Sequence, residues 1–137
     1  MTKEQAMAKF LDCDVDDLTE EKFDYYGLTV LSDHAIGTDE EADKACEEYI
    51  KQTAWAFNAS FIISECGLDC SGEESLKTMQ EKSCEGANDF ILSLIEKTCG
   101  IGEFVDSAIS AEGRGHFLSS YDGNENEEGN YYIYRIN

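Results

Sequence analysis

The chain has no proline, only two histidines, and ten lysines and arginines against thirty aspartates and glutamates. With no proline and no internal repeat, nothing in its 137 residues marks a linker or a repeat array. The length is close to the commonest domain size, so one domain over 1–137 is expected. The shortage of positive charge excludes more. A chain of net charge −20 is repelled by bare nucleic acid and by anionic membranes, so neither is expected as a direct ligand. No apolar run approaches the roughly 18 residues of a membrane span, and residues 1–11 lack the apolar centre of a signal peptide. A cytoplasmic protein is expected.

Metal-binding patterns are equally scarce. Cys66 and Cys70 are the one close cysteine pair, with a helix stop between them and no second pair nearby, which is not a zinc pattern. Asp12, Asp14 and Asp16 have the first three spacings of an EF-hand loop, as do Asp122, Asn124 and Asn126. Both sets lack the glycine at the sixth position and the glutamate at the twelfth. The six cysteines are read as reduced thiols, with Cys46 and Cys84 at apolar positions of helical patterns. No metal, cofactor or catalytic residue is expected. Asn58, with Ser60 two residues on, matches a glycosylation sequon that carries no meaning inside an apolar helix.

What is present is a dense centre. Thr38 followed by Glu41 is a capping box, and from Asp39 the residues Ala42, Ala45, Cys46, Tyr49 and Thr53 fall on one side of a helix. Glu40, Glu41, Asp43, Glu47 and Glu48 spread over the other. From Ala54, residues Trp55, Ala56, Phe57, Phe61, Ile62 and Ile63 point in every direction, as in a helix buried all round, with a break expected near Asn58. Thr2 and Gln5 cap a first helix over about 3–12. Thr19 caps a second that ends at Gly27, with Phe23 and Tyr26 on one side. Residues 28–31 and 35–37 flank a small hairpin. Gly67 ends the central helix, and Ser71 with Glu74 caps another that Gly86 divides and that Gly100 and Gly102 stop near Cys99. A short helix around Phe104–Ile109 precedes HFLSSYDG and YYIYRIN, read as a β-hairpin joined by NENEEGN as a solvated, mobile tip. The fold class expected is therefore α+β: mainly helical, packed around Phe57, Phe61 and Ile62, and closed by a C-terminal β-hairpin.

Two stretches carry functional signal. In GRGHFLSSYDG, Arg114 and His116 stand between glycines and a strand in an acidic chain. This suits either a nucleotide-like anion or, more simply, a turn in which Arg114 pairs with a local carboxylate. The stronger signal is the acidic field. From Asp12 to Glu48 there are 14 acids against Lys22 and Lys44, a net of −12. The six acids from Asp39 to Glu48 occupy about 13.5 Å of helix axis, roughly one per 2.7 Å, against about 1.7 Å per charge in duplex DNA. Asp14, Asp16, Asp17, Glu40, Glu41, Asp43, Glu47 and Glu48 are the expected partner-binding residues, and a cationic surface is the expected partner. The net charge disfavours close self-association without fixing the oligomeric state.

The segments IGTDEEADKA, YIKQTAWAFNASFI, CEGANDFILSLIEK and GRGHFLSSYDGNENEEGNYYIYRIN together resemble small acidic proteins of tailed-bacteriophage genomes, over about residues 35–137. No activity attaches to that group. The resemblance implies a phage origin, and phages carry acidic proteins that block host restriction and CRISPR systems, some by imitating DNA. The expected function is inhibition of such a system by an acidic, DNA-like face docked on a basic nucleic-acid-binding host protein or complex, with no enzymatic activity. The alternatives are a small enzyme or anion-binding protein using Arg114 and His116, and an accessory phage protein whose charge serves solubility.

Overall fold

In the computed structural model, which describes residues 1–137, the Thr2 hydroxyl accepts from the Gln5 N–H at 3.1 Å and the Gln5 side chain accepts from the Thr2 N–H at 2.8 Å. This capping box starts helix α1 (Lys3–Leu11), which ends where Asp12 turns left-handed at φ 56°. The second expected box also forms. The Thr38 hydroxyl and the Glu41 carboxylate cap α2 (Asp39–Thr53). The chain divides into two compact units, one of residues 1–49 with 112–137 and one of residues 50–111, with a boundary falling inside α2.

The first unit is built on a five-stranded antiparallel sheet in the order β1-β2-β3-β5-β4, with β1 Glu20–Tyr25, β2 Leu28–Leu31, β3 His34–Gly37, β4 Asn126–Glu128 and β5 Tyr131–Arg135. Side chains alternate across a sheet. Leu31, Ile36 and Ile133 form one core with Ala6 and Met7 of α1, while Tyr132 and Tyr134 project to the opposite face, toward α2 and helix α7 (Arg114–Leu118). The hairpin expected between residues 28–31 and 35–37 is present as β2–β3. Its loop residues Ser32 and Asp33 both have positive φ, the signs a two-residue loop needs to follow strand twist.

Two assignments in this unit differ from the sequence reading. The stretch from Thr19 to Gly27 is not a helix. It is edge strand β1, paired through Glu20 with Leu31, Glu21 with Val30 and Tyr25 with Leu28, and the Thr19 N–H donates to the Ser32 side chain. Pairing with the apolar strand β2 outweighs the modest helix preference of Glu and Lys, and Gly27 at φ +88° makes a hairpin turn instead of a helix stop. The C-terminal strand pair is present, but its first strand is β4, inside the expected mobile tip NENEEGN. HFLSSYDG instead begins with the last turns of α7.

The second unit is helical, with α3 Ala59–Glu65, α4 Glu73–Ser83, α5 Asn88–Lys97 and most of α6 (Ile101–Glu112). The central apolar stretch breaks as expected: a 3-10 turn covers Ala54–Ala56 and the Asn58 side chain caps α3. Two amides satisfy the backbone groups that the break exposes. Asn88 accepts from the Trp55 N–H at 3.0 Å and donates to the Lys51 carbonyl at 2.7 Å, while Gln80 Nε2 donates to the carbonyls of Trp55 and Phe57. Because the run is split, it is not buried all round. Ile62 is fully buried and Ile63 nearly so, but Trp55, Phe57 and Phe61 are half-buried and Ala56 is exposed. Phe57 and Phe61 pack on each other and on the buried Phe104, with ring centroids 5.3 to 5.9 Å apart.

Smaller differences fall at helix junctions, two of them at 3-10 turns. Asp69, not Ser71 with Glu74, caps the turn Cys70–Gly72 that leads into α4. Gly86 lies in the turn Cys84–Ala87 that divides α4 from α5, which leaves Cys84 exposed instead of buried. Gly100 at φ +89° stops the chain before α6, whereas Gly102 lies within that helix. No helix is long and apolar enough to cross a membrane.

Candidate functional site

The first unit gathers most of the charge. It holds 20 Asp and Glu against six Lys and Arg, a net of −14 of the chain's −20. Arg114 turns inward, its side chain only 10% exposed. Gly113 at φ +84° turns the chain into α7, and Gly115 lies so close to the loop at residues 123–125 that a Cβ there would stand 2.5 Å from the Gly123 carbonyl oxygen. This close approach brings Glu125 beside Arg114. Nε and Nη2 donate to the two Glu125 oxygens at 2.7 and 3.2 Å, and Nη1 donates to the Asp39 carboxylate at 2.8 Å, the Asp39 carbonyl at 3.1 Å and Asp43 at 3.1 Å. The guanidinium carbon lies 4.6 Å from the Tyr132 ring centroid. Burial opposes the charge here, but the bonds to Glu125 and Asp39 outweigh it and raise the guanidinium pKa further. Tyr134 completes the group by donating to Glu125 at 2.5 Å. Burial, then that bond, raises its phenol above the ordinary range.

Arg114 is thus enclosed by carboxylates. Of its two sequence readings the pairing with carboxylates holds, but two of the partners, Asp39 and Asp43, are distant in the chain, and Gly113 leads into α7 instead of a helix-to-strand turn. His116 is not brought to it. That side chain is 58% exposed, 3.9 Å from Glu112 and edge-on to Phe117. From Phe117 a run of ring contacts passes through Tyr49 to Tyr26 and Tyr25, whose hydroxyl donates to the Leu118 carbonyl at 2.7 Å. Burial, then the neighbouring Tyr26 and Tyr49, pushes the Tyr25 phenol up to about 12. These contacts tie the β1–β2 turn to α2 and α7.

The eight expected partner-binding residues separate into two groups. Asp14, Asp16, Asp17, Glu40 and Asp43 are exposed, while Glu41, Glu47 and Glu48 are half-buried. Two of those on α2 hold cations in addition to the capping expected of Glu41. Glu41 caps α2 and pairs with Lys3 at 3.1 Å. The Thr38 N–H first, and Lys3 against the opposing effect of burial, hold its carboxyl below the usual range. Asp43 bonds Arg114 while keeping 61% of its side chain in solvent. Asp14 and Asp17 close a small capping box on the 3-10 turn Val15–Asp17. The side chains of Asp16, Glu20 and Glu40 are exposed and make no hydrogen bond or ion pair. The calcium-like spacings resolve into local turns: Asp12 ends α1, and Asp122 accepts from the Ser119 hydroxyl and the Asn124 N–H. His, Cys, Asp and Glu side chains form no cluster of three or more able to hold a metal.

The second unit has an open groove of about 550 Å³ lined by Trp55, Phe57, Glu73, Lys77, Gln80 and Glu81 among others. Its amide donor is already used by the Trp55 and Phe57 carbonyls, and Lys77 stands four residues from each glutamate along α4. Of its charged side chains, Lys77 and Glu81 are exposed and Glu73 is half-buried. No family model, curated protein or solved structure matches the chain. Function therefore has to be argued from the surface itself. The Arg114 enclosure is the feature that sequence reasoning resolved least, since Asp39, Asp43 and Glu125 lie 71 to 75 and 11 residues away along the chain. A single arginine between two glycines in an acidic chain was its only local mark.

Proposed function

We propose that this protein is a phage-encoded inhibitor of a host nucleic-acid-targeting defence system, of the CRISPR or restriction type, and that it acts by binding without turnover. Its exposed carboxylates occupy a basic protein surface that otherwise holds nucleic acid, within the host cytoplasm. The observation that carries this reading is the uncompensated charge of the first unit, −14, around an arginine turned inward. Carboxylates presented on a folded helix, strand and 3-10 turn need little further ordering on binding, which lowers the entropic cost of association. Opposite potentials steer the encounter and make it salt-dependent. The resemblance to small acidic phage proteins supports the phage origin.

The test is charge reversal where no structural bond is lost. Asp16→Lys, Glu20→Lys and Glu40→Lys change the net charge by six units and remove no hydrogen bond or ion pair. The triple variant should melt within a few degrees of the parent, or higher, because like charges move apart. Bacteria carrying an active restriction or CRISPR system and expressing the parent should plate phage at raised efficiency, and the triple variant should lose that effect. The protein should displace nucleic acid from the affected nuclease at low salt and fail at high salt. Equal protection by parent and variant would refute the acidic-face mechanism, and no protection by the parent against any such system would refute the target class.

A further inference from the structure

The groove of the helical unit is independent of the acidic surface, and the break in the apolar run builds it. The 3-10 turn Ala54–Ala56 and the capped start of α3 leave Trp55 and Phe57 half-buried, and both line it. α4 supplies most of the rest. Glu73, Lys77, Gln80 and Glu81 recur at three- and four-residue steps, so they share a face of that helix, and the exposed Cys84 follows at its end. Gln80 Nε2 donates to the Trp55 carbonyl at 2.9 Å and the Phe57 carbonyl at 2.7 Å, which fixes the amide and leaves its Oε1 without a bond. The Glu73 and Glu81 carboxylates make no hydrogen bond or ion pair.

The lining therefore offers aromatic surface, unpaired carboxylates and an amide oxygen against the single ammonium of Lys77. Acceptors of this kind select a donor-rich cation, and aromatic rings select a flat one. A guanidinium meets both needs, with a planar face that stacks on rings and a fan of N–H donors in its plane. An ammonium has the charge without the plane, and a nucleotide has the plane with the wrong charge for a chain of −20. We propose that the groove is a receptor for an arginine side chain carried on a segment of a partner protein. The guanidinium stacks on Trp55 and donates to Gln80 Oε1 and the adjacent Glu81, while Lys77, exposed on a flexible stem, swings into solvent. Glu73 lies about 12 Å from Glu81 along the helix axis, beyond the reach of one guanidinium, and attracts the same charge from a distance. Free arginine is the poorer occupant, because its own carboxylate would meet these glutamates. A peptide bond removes that charge, and a groove of about 550 Å³ has room for flanking chain.

Trp55 is the chain's one tryptophan, so its fluorescence reports on the groove. The full chain at low salt is titrated with a capped pentapeptide that carries one central arginine among glycines and alanines, and with the same peptide carrying lysine or citrulline there. The arginine peptide should give a saturable change in emission with half-saturation in the millimolar range, and the other two should bind at least about fivefold more weakly. It should also slow alkylation of Cys84 by iodoacetamide while Cys70, exposed but outside the groove, reacts at its usual rate. Glu81→Gln should weaken the arginine peptide about tenfold and Glu73→Gln less, whereas Lys77→Gln should tighten it. Protection of Cys84 is read on the parent, so it decides the matter where a substitution disturbs α4. Equal binding of the citrulline or lysine peptide, tighter binding of free arginine than of the peptide, or no saturable change with Cys84 unprotected overturns the proposal. None of these readings depends on phage protection, so the outcome stands apart from that of the charge-reversal test.

Discussion

Replacing Arg114 with methionine tests the enclosure at the centre of the first unit. Methionine keeps much of the apolar stem and removes only the charged fork. The carboxylates left behind differ in exposure, with side chains 67% exposed at Asp39, 61% at Asp43 and 30% at Glu125. The first two relax into solvent, and their pairs are worth only about 0–1 kcal/mol each after screening. Glu125 is the costly partner. It loses a two-pronged bond while still accepting from Tyr134, and a charge-assisted bond of this kind contributes about 1.5–3 kcal/mol. With the ring contact to Tyr132 added, Arg114→Met should lower stability by about 2–4 kcal/mol in urea denaturation at neutral pH. Arg114→Lys should recover part of this, because lysine restores a point charge without the fork. A cycle with Glu125→Gln should return a coupling of about 1–3 kcal/mol. A loss below about 0.5 kcal/mol would mean the enclosure is a loose surface association, leaving Arg114 free to receive an anion after all.

Gly115→Ala should destabilise the protein by about 1–3 kcal/mol, read from the urea midpoint, since its methyl would meet backbone atoms of Gly123, Asn124 and Glu125 at 2.5 to 2.8 Å; a neutral effect would show that loop to be loosely held. Removing residues 131–137 deletes β5, which lies between β3 and β4 and buries Ile133 and Tyr134 completely, so cooperative unfolding should vanish from the thermal melt. Survival of a sharp transition at the parent temperature would make β5 dispensable. At alkaline pH, Tyr25 and Tyr134 stay protonated in the native state above the ordinary phenol value of 10.0, so their contribution is complete below that pH and is lost as pH rises. Ultraviolet titration of the parent beside Tyr25→Phe and Tyr134→Phe should find both phenols ionising above 10.0, and either one ionising at 10.0 with the fold intact would contradict this. For Glu41 the sign reverses. Its lowered carboxyl contributes above the ordinary value of 4.5 and less as pH falls, so the melting gap between parent and Glu41→Gln should be full near neutrality and close in acid.

Much of the fold was legible because the signals were local. Thr2 with Gln5 and Thr38 with Glu41 cap the helices that their spacing announced, and Asn58 and Gly86 divide the chain where punctuation suggested. What escaped was decided by distant partners. Residues Glu20–Tyr25 have no strong β signature of their own and become a strand because β2 offers them an edge. Asn126–Glu128 look like a solvated tip until β5 pairs with them. The same holds at the surface. Helical spacing places Glu40, Glu41 and Asp43 together on the polar side of α2, yet only the fold shows Lys3 reaching Glu41 and Arg114 reaching Asp43. A list of acidic positions is therefore not a list of interchangeable carboxylates.

The placement of the cations bears on why the charge is there. In the first unit Lys3 holds Glu41, Lys9 holds Glu128, Arg114 is enclosed, and Arg135 lies over the Tyr121 ring at 3.6 Å. These cations secure particular helix, strand and loop junctions. Solubility alone asks for a net charge of roughly 2–8 on a small domain, and the exposed Lys22 and Lys44 offset only a few of the acids around them. Here Asp16, Glu20 and Glu40 stand in solvent without a partner. The repulsion among such groups is a cost carried by the free protein, and contact with a cationic surface removes it. Salt acts on the two states with opposite sign: screening relieves the repulsion in the free chain and weakens the attraction in the complex. Under the function proposed here, that opposition is what a surface whose electrostatic energy is released in association should show, and it links the inward-turned arginine to the bare outer carboxylates.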